Sequence, residues 1–217
     1  MIGRMGIDDI SPMVSAGLYP AKAVVGELVP VSTAAWREGH DAIGVTLHID
    51  GPGRGRRRDI PMTPSVEPDV FNGAFVPDAP GFWTFRIDAW SDPYATWRSA
   101  VIKKVDAGQG AADLANDIEI GVGVLTRALD LVPEESRARL DEAIAALRSP
   151  RRRIENRVGP GTGDDIADLL GRYPVRELVT KSRTYRVWVD RRRALYGSWY
   201  EFFPRSTGGW DTEGNPV

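Results

Sequence analysis

The stretch Gly81-Phe-Trp83-Thr-Phe85-Arg-Ile87-Asp-Ala89 decides the fold class. Trp83, Phe85, Ile87 and Ala89 alternate with Thr84, Arg86 and Asp88. A period of two puts successive side chains on opposite faces, the mark of a half-buried strand. The same alternation recurs where Ile43, Val45, Leu47 and Ile49 are interleaved with Gly44, Thr46 and His48. Weaker strands are predicted at Met13–Ser15, Leu28–Trp36, Val70–Val76 and Arg98–Val105. Turn signals separate them: Tyr19-Pro20, Glu38-Gly39, Gly51-Pro52-Gly53 and Pro77-Asp-Ala-Pro-Gly81. Short strands punctuated in this way read as an antiparallel β-sandwich over residues 1–105.

Beyond Asp106 the period changes. Leu114, Ile118, Val122, Leu125, Leu129 and Val132 are spaced so that all fall on one face of a helix. Pro133-Glu-Glu opens a second helix, with proline tolerated in the first turn and acids favouring the positive end. It carries Leu140, Ile144 and Leu147 and stops at Pro150. A basic loop through Gly159-Pro-Gly-Thr-Gly follows, and then Thr162 or Asp164 caps a third helix bearing Ile166, Leu169 and Leu170. A fourth short helical turn is predicted between Val175 and Thr180. Residues 106–181 thus read as a small antiparallel helical bundle.

The strand period then returns, with Tyr185, Val187 and Val189 alternating against Thr184, Arg186, Trp188 and Asp190. A lone strand cannot bury a face, so residues 182–196 are expected to rejoin the sandwich, making the bundle an insertion into it. Residues 197–217 fit neither unit. Gly197-Ser-Trp-Tyr-Glu-Phe-Phe-Pro is a dense apolar run of the kind covered on both faces in a parallel barrel. It is expected to be the first strand of a further domain, cut short at Val217.

Composition bounds the chemistry. With 28 basic against 30 acidic residues in 217, the chain offers no electrostatic reason to bind nucleic acid or a membrane surface. It has no cysteine, which excludes thiol catalysis, disulfides and thiolate metal sites. Two histidines, His40 and His48, share no local motif, so no metal site is expected. No signal peptide or membrane-spanning run is evident, and a cytoplasmic protein is expected. Seven Trp, six Tyr and six Phe are unusual beside so few histidines. They serve either as a bulky sandwich core or as flat platforms for sugar rings.

Several segments together resemble a known family. They are Ala16-Gly-Leu-Tyr-Pro-Ala-Lys-Ala-Val-Val-Gly-Glu27, Trp36-Arg-Glu-Gly-His40, Gly81-Phe-Trp-Thr-Phe-Arg86 and Trp90-Ser-Asp-Pro-Tyr-Ala-Thr-Trp97. To these add Lys104-Val-Asp-Ala-Gly-Gln-Gly110, Val187-Trp-Val-Asp190 and, most specific, Trp199-Tyr-Glu-Phe-Phe-Pro-Arg-Ser-Thr-Gly-Gly209. The chain resembles the N-terminal region of actinobacterial α-1,4-glucan:maltose-1-phosphate maltosyltransferases, the GlgE type. The run Asp78–Phe85 also resembles the corner entering a late strand of an immunoglobulin-like domain, with Trp83 where tyrosine is usual.

The resemblance implies a cytoplasmic homodimer built on an α-amylase-type (β/α)8 barrel, preceded by a β-sandwich with an inserted bundle. It implies retaining transfer of maltosyl units from α-maltose 1-phosphate to the non-reducing end of an α-1,4-glucan, releasing phosphate without metal or cofactor. Retention needs two close carboxyl groups, which in such a barrel sit at strand ends. Both are expected beyond Val217, leaving this chain an inactive accessory and dimerising portion. An independent α-glucan-binding module and a protein-interaction scaffold are the alternatives.

Trp90, Tyr94 and Trp97 crowd one predicted loop and are the candidates for sugar contact or barrel docking. The competing reading is that Trp90 and Trp97 cap the sandwich core. Leu114, Ile118, Leu140 and Ile144 are the candidates for the dimer contact. Trp36, Trp83 and Trp188 are expected in the core or between sandwich and bundle. The arginines at Arg54, Arg56, Arg57 and Arg58 and at Arg151, Arg152 and Arg153 could bind phosphate, although such runs are commonly solvated loops.

Overall fold

The computed structural model describes residues 5–53, 57–197, 200–201 and 209–215. Its strands are β1 (Gly6–Ser11), β2 (Ala21–Val24), β3 (Val29–Trp36), β4 (Ile43–Asp50) and β5 (Arg58–Pro61). They continue with β6 (Thr63–Pro64), β7 (Val70–Phe75), β8 (Gly81–Ser91), β9 (Glu177–Lys181) and β10 (Tyr185–Asp190). Between β8 and β9 run α1 (Pro93–Asp106), α2 (Ala115–Ala128), α3 (Glu134–Leu147), α4 (Ile154–Thr162) and α5 (Asp164–Arg172).

One sheet has the order β1-β3-β7-β6, the other β2-β10-β8-β4-β5, with β9 also paired to β8. Strand β8 organises the larger sheet. Along one edge it pairs with β4 from Thr84 to Ser91. Along the other it pairs first with β10, from Gly81 to Phe85, and then with β9, from Asp88 to Ser91. Ser182 bridges the gap between them: its N–H donates to Ile87 O at 2.8 Å, and its hydroxyl accepts from Ile87 N at 2.9 Å. Strands β9 and β10 therefore behave as one interrupted neighbour of β8.

Apolar residues at alternate positions of both sheets meet in one core. Val31, Phe71 and Phe75 come from the smaller sheet, and Leu47, Ile49, Trp83, Phe85, Ile87, Val187 and Val189 from the larger. The Trp83 and Phe75 rings stack at 5.9 Å, and Phe85 and Tyr185 at 5.3 Å. Each large apolar side chain buried in this way contributes about 1.5–3 kcal/mol. The Trp83 indole N–H is satisfied locally, donating to Ala79 O at 2.9 Å.

A second core lies among the helices, where Trp97, Val101, Leu114, Leu125, Leu140, Leu147 and Leu169 pack together. It includes Leu114, Ile118, Val122, Leu125 and Val132 of the predicted apolar face. Close approach here depends on glycine. A Cβ added at Gly121 would lie 2.4 Å from the Trp97 ring, and one at Gly161 would lie 3.1 Å from it.

The structure corrects several expectations. Arg98–Val105 is helix, because Asp92 and Pro93 set a cap and a first turn, and Tyr94, Trp97 and Val101 follow at helical spacing. The helical excursion accordingly begins at Pro93 rather than at Asp106. Residues 154–162 form α4 despite Pro160 within it. Here packing outweighs propensity: Tyr94 Oη donates to Gly161 O at 3.1 Å, and Trp97 lies against the same glycine. Gly163, not Thr162 or Asp164, occupies the N-cap of α5. Asp164 instead pairs with Arg98 at 2.9 Å. Of the helical turn predicted between Val175 and Thr180, residues 177–180 belong instead to β9 (Glu177–Lys181). The sandwich is not purely antiparallel, since β10 runs parallel to β2. Parallel neighbours need a long crossover, and the link here runs through most of the chain. At Met13–Ser15 only an isolated Val14–Tyr19 bridge and a 3-10 turn from Ser15 form. Most of the predicted barrel strand at 197–217, including 198–199 and 202–208, lies outside the described residues.

Two neighbouring glycines on α2 give a test of the second core. Gly121→Ala forces a methyl into the Trp97 ring and is expected to cost about 1–3 kcal/mol. Gly123→Ala on the open face, with nothing within 4 Å, is expected to be neutral or to stabilise by up to about 1 kcal/mol. Urea denaturation of the pair checks this; equal effects would remove the role given to Trp97.

Candidate functional site

Trp90, Tyr94 and Trp97 are brought together, but as joints of the fold. Trp90 closes the outer end of β8, where its ring lies over Gly44; a Cβ there would fall 2.2 Å from the indole. Its N–H donates to Thr46 Oγ1 at 3.1 Å, and the Arg176 guanidinium sits 5.3 Å from the ring centroid on a strand-flanking segment. Trp97 donates to Asp117 O at 2.7 Å and lies in the helical core. Tyr94 is buried beside it, 6.0 Å between ring centroids. Burial holds its phenol well above the usual tyrosine range. All three rings, the candidates for sugar contact or barrel docking, are buried. Trp90 and Trp97 do not both cap the sandwich core, since Trp97 belongs to the bundle.

Leu114, Ile118, Leu140 and Ile144 are likewise buried in the helical core. Their side chains pack between the helices. The exposed large apolar residues of those helices and of the turn after α2 are Ile120 and Leu131.

The junction of the two cores is built from polar groups. Asp92 Oδ1 accepts from Ala95 N at 2.9 Å and caps α1, while Asp92 N donates to Ala42 O at 2.9 Å. Thr96 Oγ1 accepts from Ala42 N at 2.9 Å, and Arg37 donates to Ser91 Oγ at 2.8 Å. On the far side Arg127 of α2 forms an ion pair with Glu177 of β9. Burial raises the Asp92 carboxyl above its ordinary range, against the lowering effect of the helix N–H groups it accepts from. In the helical core, Lys104 Nζ donates to both oxygens of buried Asp117 at 2.8 Å.

A second polar cluster escaped sequence reasoning. His48, expected on a polar strand face, is almost fully buried on the outer side of the larger sheet. Its Nδ1–H donates to Asp59 Oδ1 of β5 at 2.7 Å. Its Nε2 lies 3.0 Å from Asp88 Oδ2 but outside hydrogen-bond geometry. Arg86 grips both oxygens of Asp88, at 2.7 and 3.0 Å, and that hydrogen bonding raises the guanidinium further above its ordinary value. The signal available in the sequence was parity: His48, Arg86 and Asp88 all take the polar positions of strong strands. The cluster clips β5, β4 and β8 together. Among the described residues, no group of three His, Cys, Asp or Glu is placed to hold a metal ion.

The open aromatic surface lies elsewhere. Phe82 and Trp188 face each other across β8 and β10, 4.8 Å between ring centroids, and are 52% and 37% exposed. Trp188 borders a cleft of about 440 Å³ lined also by Lys22, Glu27, Asp190 and Leu195. Trp188 and Trp36, both expected inside, are thus on the surface, because they occupy the outward parity of their strands. Of the arginine runs, Arg151, Arg152 and Arg153 are exposed, and so is Arg57. Arg58 reaches back over the Trp83 ring, and Arg54 and Arg56 lie outside the described residues.

The family described as "Alpha-1,4-glucan:maltose-1-phosphate maltosyltransferase, domain N/S" matches residues 3–191, which takes in both cores and the return strand. The chain belongs to this family. Curated relatives named alpha-1,4-glucan:maltose-1-phosphate maltosyltransferase agree. The protein of Mycobacterium tuberculosis (strain H37Rv) is 48% identical over 99% of this chain and 34% of its own length. That of Mycolicibacterium smegmatis is 47% identical over 99% of this chain and 35% of its own. The more distant Salinibacter ruber protein is 33% identical over 94% and 30%. The chain thus spans about a third of the length of the maltosyltransferases it matches. No helix among the described residues is long and apolar enough to cross a membrane.

The Asp92 cap supplies a pH test. A carboxyl raised in the folded state binds protons more tightly there than when unfolded, so its ionisation opposes folding. Stability therefore falls as pH rises from the ordinary aspartate value, about 3.9, through the raised one. Asp92→Asn keeps a good cap and removes this dependence. It is expected to match the parent near pH 3 and to equal or exceed it at neutral pH; denaturation across that range measures the difference.

Proposed function

We propose that this chain is the accessory portion of a retaining maltosyltransferase that moves maltosyl units from α-maltose 1-phosphate to the non-reducing end of an α-1,4-glucan and releases phosphate. The observation that carries the reading is near-half identity across 99% of the chain to proteins of that name, which are about three times as long. On this reading the catalytic carboxylates belong to the part of the relatives that the chain does not cover. The chain supplies architecture: an immunoglobulin-like sandwich that runs to Ser91 and resumes at Glu177, interrupted by the bundle, with 197–217 opening an amylase-type barrel.

The Trp83 N–H, which returns to the backbone at Ala79, supports the immunoglobulin-like assignment, since it does the work of a tyrosine corner. The parent enzyme is a cytoplasmic homodimer in this reading. Any bundle contact with a second copy uses outward residues such as Ile120 and Leu131, which the buried set beneath them holds in place. A twofold contact of that kind is self-complementary.

Phosphate release from α-maltose 1-phosphate in the presence of maltohexaose tests the assignment. The 217-residue chain is expected to release none, and the longer product of the same gene is expected to release it with retention. Turnover by the short chain, or its absence from the long one, would overturn the reading.

A further inference from the structure

We propose that His48 works as a proton-operated latch, holding the edge strand β5 to the larger sheet while its imidazole carries two ring protons and releasing it when one is lost. The ring lies on the outer side of the sheet between two carboxylates from different strands. Asp59 of β5 stands directly across from His48 on one side and Arg86 of β8 on the other, with Asp88 two residues further along β8. Nδ1 is 2.7 Å from Asp59 Oδ1, and Nε2 is 3.0 Å from Asp88 Oδ2.

A ring with one proton cannot suit both neighbours. If Nδ1 carries it, the Nε2 lone pair faces the Asp88 carboxylate; if Nε2 carries it, the Nδ1 lone pair faces Asp59. Nε2 is buried and has no hydrogen-bond partner among the described residues, so no other donor relieves it. A second ring proton sets an N–H against each carboxylate. Charge points the same way, because Arg86 is already held by both oxygens of Asp88, which leaves Asp59 to the imidazole. The other charged groups around the ring are Asp50 on β4, Arg57 in the adjoining cleft and Lys181 of β9, opposite Asp88. Among the described residues, Asp59 and Asp88 are the groups that reach the ring nitrogens.

The strand so fastened ties the sheets together. Among the described residues β5 pairs only with β4, at the edge of the larger sheet, so it can part without disturbing β8. Beside the latch, Arg58 donates to Val76 O at 3.2 Å, just past the end of β7 in the smaller sheet, and lies 5.6 Å from the Trp83 ring centroid. The chain then crosses to the smaller sheet as β6. Releasing Asp59 therefore loosens a link between the sheets and bares the outer edge of β4 to other strands. Histidine ordinarily changes charge between about pH 5 and 8. The latch is closed on the acid side of that change, and the stability it supplies is lost as pH rises through it.

The test makes two measurements on the ¹⁵N-labelled 217-residue chain between about pH 5 and pH 9. One is the protonation of both His48 ring nitrogens, with exposed His40 as reference. The other is hydrogen-exchange protection of the Arg58 and Ile60 amides, which lie opposite Ile49 and Leu47. Protection of these amides is expected to fall by about threefold to tenfold as the second ring proton leaves, while that of Phe85 and Ile87 on β8 holds steady. His48→Gln, which does not titrate, is expected to abolish the step. Asp59→Asn is expected to abolish it while the ring still titrates. The proposal falls if the ring does not change protonation in this range, or if it does so with β5 protection unmoved. It falls equally if the step survives in His48→Gln. The first two outcomes are read on the unaltered chain and decide the matter even where a variant does not fold.

Discussion

A strand hydrogen-bonded along both edges cannot shift register without breaking two ladders at once, and β8 is held in this way over nearly its whole length. One face of β8 carries Trp83, Phe85, Ile87 and Ala89 into the core shared by the two sheets. Its other face carries Phe82, Arg86, Asp88 and Trp90, which supply the open aromatic pair, the charged clip and the junction. Because its period is two, one slipped residue would exchange these sets and put arginine and aspartate into the core. The rest of the molecule hangs on that alternation.

Tryptophan resting on glycine recurs at the places where elements must come close. Trp90 covers Gly44, Trp83 covers Gly51 and Trp97 covers Gly121, each closer than any Cβ would permit. A flat, rigid ring fills the space that a missing side chain leaves and then closes its own polar edge with a local acceptor. Such a pair fixes position more sharply than two aliphatic chains, which can repack around an added methyl. It also explains why so many aromatic residues are needed in a chain whose sheets are small.

Much of the fold could be read from the residues, and the failures have physical causes. The strands around Val45, Phe85 and Val187 and the helix faces through Leu125 and Leu140 have long, clean periods. Residues 98–105 misled because Val101 and Val105 favour strands, whereas the decisive signal was the cap at Asp92 and Pro93. Pro160 and its glycines argued for a loop, and contacts from Tyr94 and Trp97 overruled them. Local sequence holds no record of such distant partners. The candidate site fared worse for the same reason. Trp90 and Trp188 look alike in sequence; what separates them is that Arg176 and Gly44 enclose one and leave the other bare. Parity alone would have placed Phe82 and Trp188 outside, and among the described residues no element covers them.

The ends of the helical excursion are a cross-strand pair, Ser91 opposite Glu177. That geometry has a consequence for the order of events during folding. Joining β8 to β9 and β10 through an unstructured chain of this length carries the entropy of a large loop, and long-range pairing of that kind is slow. Once the helices have collapsed around Leu125 and Leu140, their entry and exit points are already neighbours. The larger sheet then closes as though across a short turn. A chain assembled in this sequence would acquire its bundle early and zip its last two strands onto β8 at the end.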